Sequence, residues 1–349
     1  MTREEISAVD PGGMYDRIKE FPRQVREAME IARAAAIPLR ARGIENIVLC
    51  GLGGSAIGGE LLRSYLADEL KVPFAVNRMY TLPRYVGPRT LVIISSYSGN
   101  TEETNAAHKE AIKRRAKILC ITSGGATAAL ARKRRSAVIL VPGGSPPRAA
   151  LAYSFFPLLT ALSRMGFVKD RSAEIRETIA LLDRLSALYA DPGAVPNPAL
   201  EIASRLRGKI GVIYSAAERF DAVNTRWRGQ IAENAKSLVF GHVLPEMNHN
   251  ELVGWNVLAA QMREMQVIFL RDRKDHPRVG IRMDVTKGVI DNYTPHIADV
   301  WSEGKSLLAR IFSLVYLGDW VSLYLAVLHG VDPTPVAAID LLKKELASA

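Results

Sequence analysis

Apolar residues along this chain come in short continuous runs, each followed by a turn and then by a stretch of helical spacing. The runs at 47–50, 74–76, 90–95, 117–122 and 137–141 are too short for helices and do not alternate apolar with polar. Continuous apolar strands are what a parallel sheet covered on both faces requires. Residues 14–42 read as helices, residues 60–66 continue as a helix from a glycine-rich turn, and another helix is expected from about 101 to 114. Two more fill 150–190. The alternation predicts an α/β fold, an open and mostly parallel sheet flanked by helices.

The segment DPGAVPNP at 191–198 is rich in proline and turn formers and is the predicted linker, dividing the chain into domains at 1–190 and 191–349. Alternation then resumes. A strand is expected at 209–214 and a helix at 217–237, ended by Ser237-Leu238-Val239-Phe240. Further strands are expected at 266–270 and 278–283, then a long apolar helix at 307–328 and an amphipathic one at 334–347. Two units of similar plan suggest an internal structural duplication.

Composition narrows the classes. The 349 residues give room for two domains, and 48% apolar with 23% charged residues is ordinary for a globular protein. No run of about 18 apolar residues is read here, so no membrane span is expected. The start MTREEISAVD lacks the basic-then-apolar order of a signal peptide, and a cytoplasmic protein is expected. Cys50 and Cys120 lie at or near strand ends and read as small core residues. The six histidines show no HExxH or comparable pairing, so no metal is expected. A net charge of +10 could suit nucleic acid or an anionic substrate. Its only dense clusters, Lys113-Arg114-Arg115 and Arg132-Lys133-Arg134-Arg135, read as solvated helix ends. No nucleic-acid-binding signature accompanies them, and neither nucleic acid nor membrane is expected as a partner.

Four segments carry candidate chemistry. In CGLGGSAIGGE, residues 50–60, glycines let the backbone approach a ligand at a helix start, with Gly54 and Ser55 at its centre. The G-x-G-x-x-A spacing also fits a dinucleotide fingerprint, but that needs a carboxylate at the end of the second strand, where Asn77-Arg78 stands. A phosphate or sugar site and a purely structural turn remain open. In SSYSGNTEET, residues 95–104, Asn100 and Glu103 fit a helix capping pattern, which leaves Ser96, Ser98 and Thr101 unexplained. Hydroxyls with helix-start N–H groups suit a phosphate, and the two glutamates must then point outward. In GGSPPR, residues 143–148, a rigid turn aims Arg148 at the same end of the sheet. In RGQIAENAK, residues 228–236, Glu233 lies well off the apolar stripe of Trp227, Ile231, Ala235 and Leu238. His249 follows in the polar loop PEMNHNE, with a pKa range suited to proton transfer.

In order along nearly the whole chain, GLGGSAIGGEL, SSYSGNTEET, PPRAALAYSFFPLL, RGQIAENAK, LPEMNHNELVGW and VDPTPVAAIDLLKKEL resemble the bifunctional phosphoglucose/phosphomannose isomerases. That family is built from two sugar-isomerase (SIS) domains. The resemblance implies an aldose–ketose isomerase of glucose 6-phosphate and mannose 6-phosphate with fructose 6-phosphate, without metal or nucleotide cofactor. It implies that Gly54, Ser55, Ser96, Ser98 and Thr101 hold phosphate. Glu233 is implied as the base that moves a proton between C1 and C2 through a cis-enediolate, and Arg148 as the cation stabilising that intermediate. His249 is implied in ring opening within the partner subunit's site of a homodimer. Lys343, with Lys344 adjacent, is implied as the C-terminal lysine assisting ring opening. Residues 271–284, RDRKDHPRVGIRMD, depart from the compact members and read as a charged surface excursion. A sugar-phosphate sensor, another SIS-domain isomerase and a nucleotide-dependent oxidoreductase are the competing readings. The first would not need Glu233, His249 and the C-terminal lysine together.

Overall fold

A computed structural model describes residues 1–348 and divides the chain into two compact units. The chain opens with α1 (Arg3–Val9) and α2 (Met14–Lys19), which belong to the second unit.

The first unit comprises Glu20–Asp183 and Gly304–Ala309. In order it contains α3 (Phe21–Ala34), β1 (Asn46–Cys50), α4 (Gly53–Tyr65), β2 (Phe74–Asn77), β3 (Thr90–Ser95) and α5 (Glu102–Lys113). There follow β4 (Lys117–Thr122), α6 (Gly125–Lys133), β5 (Ala137–Leu140), α7 (Leu151–Met165) and the start of α8 (Ser172–Tyr189). Its sheet is parallel throughout, ordered β2-β1-β3-β4-β5. Every residue of β3 is buried, which is why that run shows no alternation. The two basic clusters end α5 and α6, where cations complement the helix dipole. The chain leaves α3 at Ala35, well before the expected residue 42, ahead of Pro38.

The second unit comprises Met1–Lys19, Arg184–Glu303 and Arg310–Ala349. Beyond α8 it holds α9 (Pro198–Leu206), β6 (Ile210–Ala216), α10 (Ala217–Ala235), β7 (Val239–Leu244), α11 (Ala259–Met262) and β8 (Met265–Arg271). It ends with α12 (Pro277–Ile290), β9 (Ile297–Trp301), α13 (Leu307–His329) and α14 (Ala337–Ser348). Its sheet is again parallel, ordered β7-β6-β8-β9, repeating the first four positions of the other sheet. The helices α1 and α2 join this unit because Tyr15 packs edge-on against Trp320, with centroids 5.1 Å apart, and donates a hydrogen bond to the Ala190 carbonyl. A single cut at residue 190 therefore does not describe the division. The 191–198 turn is held within the second unit, where buried Asn197 donates to the Asp191 carbonyl at 2.9 Å and caps α9.

Five expectations are corrected. Much of the glycine-rich turn after β1 is already helix, since α4 begins at Gly53. Residues 239–240 begin β7 rather than ending a helix; Lys236 adopts φ 53°, which stops α10, and Leu238 is exposed. Residues 278–283 are helical. His276 caps the Arg278 N–H, Pro277 is preset for the first turn, and Met283, Thr286 and Ile290 form the buried stripe. The 271–284 segment is thus the end of β8, a turn and the start of α12 rather than an excursion. Finally, α13 is long and apolar enough to cross a membrane by length and composition, contrary to the reading that no such run exists, but it is mostly buried inside the fold.

Candidate functional site

In the first unit, β1 is flanked by β2 and β3, so the connections leaving β1 and β3 diverge to opposite sides. Such a switch point opens a crevice at the strands' carboxyl ends, where open α/β sheets bind ligands. The loops 50–55 and 95–101 both start there. No side chain caps α4, whose first turn aims backbone N–H groups at this crevice.

The two loops are tied together. The Tyr97 N–H donates to Ser55 Oγ at 3.1 Å, and a Cβ on Gly51 would sit 2.8 Å from the Ser95 carbonyl oxygen. Tyr97 also reaches the loops after β4 and β5. Its carbonyl accepts from Ser123 Oγ at 2.7 Å, and its hydroxyl accepts from the Ser145 N–H at 3.3 Å. Sequence reasoning passed over Tyr97; its place amid the hydroxyl run was the available signal. Gly54 meets the turn Pro147–Ala149 so closely that a Cβ there would lie 2.6 Å from the Pro147 oxygen. Buried Arg148 is thereby seated against the start of α4. Gly54, Ser55, Ser96, Ser98, Thr101 and Arg148 are thus assembled in one region of one unit.

The hydroxyls differ in exposure. Ser98 is exposed and accepts from the Asn100 N–H at 3.3 Å. Ser96 is buried and shares a 3.1 Å hydrogen bond with Thr101, which is the cap residue of α5. The expectation that Asn100 caps that helix is corrected. Its Oδ1 accepts from the Ala126 N–H at 3.1 Å, fastening this loop to the start of α6. Glu102 is exposed and Glu103 half-buried in the first turn of α5, where negative charge complements the helix dipole. A cavity of about 110 Å³ lined by Met29, Leu159 and Arg164 lies toward the other end of α7 and takes no part in this region.

Glu233, His249 and Lys343 lie in the second unit. Glu233 is half-buried near the end of α10, a helix anchored to α13. Arg226 Nη2 donates to Asp319 Oδ2 at 2.8 Å, Gln230 Nε2 to Asp319 Oδ1 at 2.8 Å, and Asn234 Nδ2 to Ser322 Oγ at 2.9 Å. Burial raises the Asp319 carboxyl even beside Arg226. The C-terminal end of α13 meets that same end of α10, since Lys236 Nζ reaches the Pro333 carbonyl at 3.4 Å. From there α14 carries Lys343, exposed and 3.8 Å from Asp340. His249 is elsewhere. Because β6 and β7 are parallel, α10 returns to the amino end of β7, while His249 follows its carboxyl end. The strand β7, about 20 Å long, runs between the two along the chain. His249 is exposed, as are Val253, Val257 and Leu258 after it.

Residues 196–346 match the bacterial phospho-glucose isomerase C-terminal SIS domain family, and residues 42–163 match the SIS domain family. A bifunctional phosphoglucose/phosphomannose isomerase of Caldicellulosiruptor bescii is 44% identical over 96% of this chain and 99% of its own. One from Aquifex aeolicus is 40% identical over 86% of this chain and 90% of its own. Among solved structures, a glucose-6-phosphate isomerase like protein of Thermus thermophilus superposes with a TM-score of 0.64 at 19% identity, covering 96% of this chain and 97% of that one.

Proposed function

Because the chain belongs to the bifunctional phosphoglucose/phosphomannose isomerase family, we propose that it interconverts glucose 6-phosphate and mannose 6-phosphate with fructose 6-phosphate by proton transfer alone, without metal or nucleotide. The observation that carries this reading is the convergence of an uncapped helix start, an exposed hydroxyl loop and a buried arginine at one switch point. Such a set anchors a phosphate and supplies a fixed cation without a bound metal.

The reaction moves one hydrogen from C2 to C1 and one proton from O2 to O1 through the cis-enediolate, with no net oxidation. The phosphate rests on the α4 start and on Ser55 and Ser98. Ser96 and Thr101, bonded to each other, shape the loop. Glu233 takes the C2 proton of the open-chain aldose and returns it to C1, and Arg148 stabilises the enediolate oxygens as charge grows. Hexose phosphates must first open their rings, which calls on Lys343 and His249. One sugar phosphate is far shorter than the strand that runs between Glu233 and His249 within a chain. His249 therefore serves the site of a second copy in a homodimer, a reading supported by the exposed apolar residues beside it.

The test is incubation with fructose 6-phosphate in the presence of a chelator and without nucleotide. Both glucose 6-phosphate and mannose 6-phosphate are expected, and Glu233→Gln is expected to fold while losing about 10²–10⁴-fold in turnover. Absence of both products would overturn the activity. Normal turnover in the variant would overturn the role of Glu233.

A further inference from the structure

His249 ends a single 3-10 turn, Glu246–His249, and a second, Glu251–Gly254, follows at once. Turns this short hold themselves weakly, since they close few backbone bonds of their own. The loop is nevertheless fastened to the body of the second unit on both flanks of His249, at Asn248 and at Glu251. On one side, Asn248 Nδ2 donates to Thr286 Oγ1 of α12 at 2.8 Å, and Thr286 is fully buried. On the other, Glu251 Oε1 accepts from the Tyr214 hydroxyl of β6 at 2.5 Å. That hydroxyl also accepts from Trp255 Nε1 at 3.1 Å, so it joins both ends of the second turn to the sheet. Burial holds the Tyr214 pKa above its ordinary value, which keeps the hydroxyl a donor. Among the described residues the His249 ring itself takes no hydrogen-bond partner and stays exposed.

We propose that Tyr214 and Thr286 are positioning residues that clamp the two flanks of His249 and hold its imidazole aimed out of the fold at a ring-opening substrate. Buried hydroxyls need hydrogen-bond partners in any fold, and here Tyr214 and Thr286 both find theirs on the two flanks of one exposed imidazole. A group that must meet a substrate held by another chain requires such fastening, because a misplacement of about 1 Å can cost a factor of about 100 in rate. The inference rests on the ring-opening role given to His249 above, and its test separates the two.

The experiment is a double-mutant cycle of Tyr214→Phe and His249→Gln in the full-length chain. It reads exchange between the α and β anomers of glucose 6-phosphate by NMR, together with kcat and KM for isomerisation. The phenylalanine keeps the ring contact with Phe269, whose centroid is 5.5 Å away. Tyr214→Phe is expected to slow anomer exchange by about 10- to 100-fold. It should leave KM unchanged, since the phosphate loops are untouched, and add nothing in the His249→Gln background. An equal loss in both backgrounds, or no loss at all, overturns the clamp while leaving His249 its role. Unimpaired anomer exchange in His249→Gln overturns the role and the clamp together. Thr286→Val, run through the same cycle, repeats the test from the other flank should Tyr214→Phe fail to fold.

Discussion

His108 is buried on α5 beside the sheet, with Nε2 3.8 Å from Cys120 Sγ and Nδ1 buried without a partner. Burial lowers its pKa from 6.5 to about 4. A folded-state pKa below the unfolded one means that the unfolded chain binds the proton more readily. The neutral imidazole's contribution is therefore fully present above pH 6.5 and is lost as pH falls toward 4. The loss should approach about 3 kcal/mol. Urea midpoints of the wild type and His108→Leu should draw apart between pH 7 and 4, with the wild type falling more; parallel curves would remove the assignment. The neighbouring thiols, Cys50 and Cys120, are pushed up to about 12 by burial and stay protonated, which agrees with their reading as core residues. Single residues were unevenly legible. The glycines of residues 50–60 were expected to let the backbone approach a ligand, and at Gly54 the group that approaches is the chain's own Pro147 carbonyl. Asn100 misled, because a helix-capping pattern and a loop-to-loop hydrogen bond ask for the same short amide.

At the scale of elements, the join of α10 to α13 is a polar seam inside an apolar core. Asp319 answers both Arg226 and Gln230, and Trp227 Nε1 donates to the Leu314 carbonyl at 2.7 Å. Asp319→Asn removes the carboxylate charge that faces the buried Arg226 guanidinium. Removing one partner of such a pair typically costs about 3–5 kcal/mol, whereas replacing both with apolar side chains is often neutral. Asp319→Asn should thus lower stability by that amount in chemical denaturation, and Arg226→Met with Asp319→Leu should recover most of it. A single variant as stable as the wild type would deny the seam its role. This seam could not be read from the sequence, because Arg226 and Asp319 lie 93 residues apart and each alone looks like a surface charge. Strands were the legible elements, since covered parallel strands leave continuous apolar runs such as the one at 90–95. The misses fall where that signal fades. Strand β9, with only Val300 fully buried, was not seen, and α12, with three buried positions, was read as a strand.

At the scale of the molecule, the doubled α/β plan was legible because alternation of strands and helices restarts after residue 198. The membership of the first nineteen residues was not, because it depends on Tyr15 meeting Trp320 across more than three hundred positions. The same long-range geometry places Glu233 and His249 at opposite ends of one sheet, and that arrangement makes a demand on the assembly. If His249 acts in a partner's site, each complete site draws Glu233 from one chain and His249 from another. Glu233→Gln and His249→Gln homodimers should then both be nearly inactive. Mixed under conditions of subunit exchange, they form heterodimers in which one site lacks both groups and the other has both intact. Random pairing makes half the dimers hetero, so activity should rise to about a quarter of the wild-type value. If His249 acted within its own chain, no heterodimer would contain a complete site, and the mixture would stay as inactive as its parents. Size-exclusion profiles of the two parents, taken before mixing, establish that the same dimer is being exchanged, so a flat response would count directly against the trans arrangement.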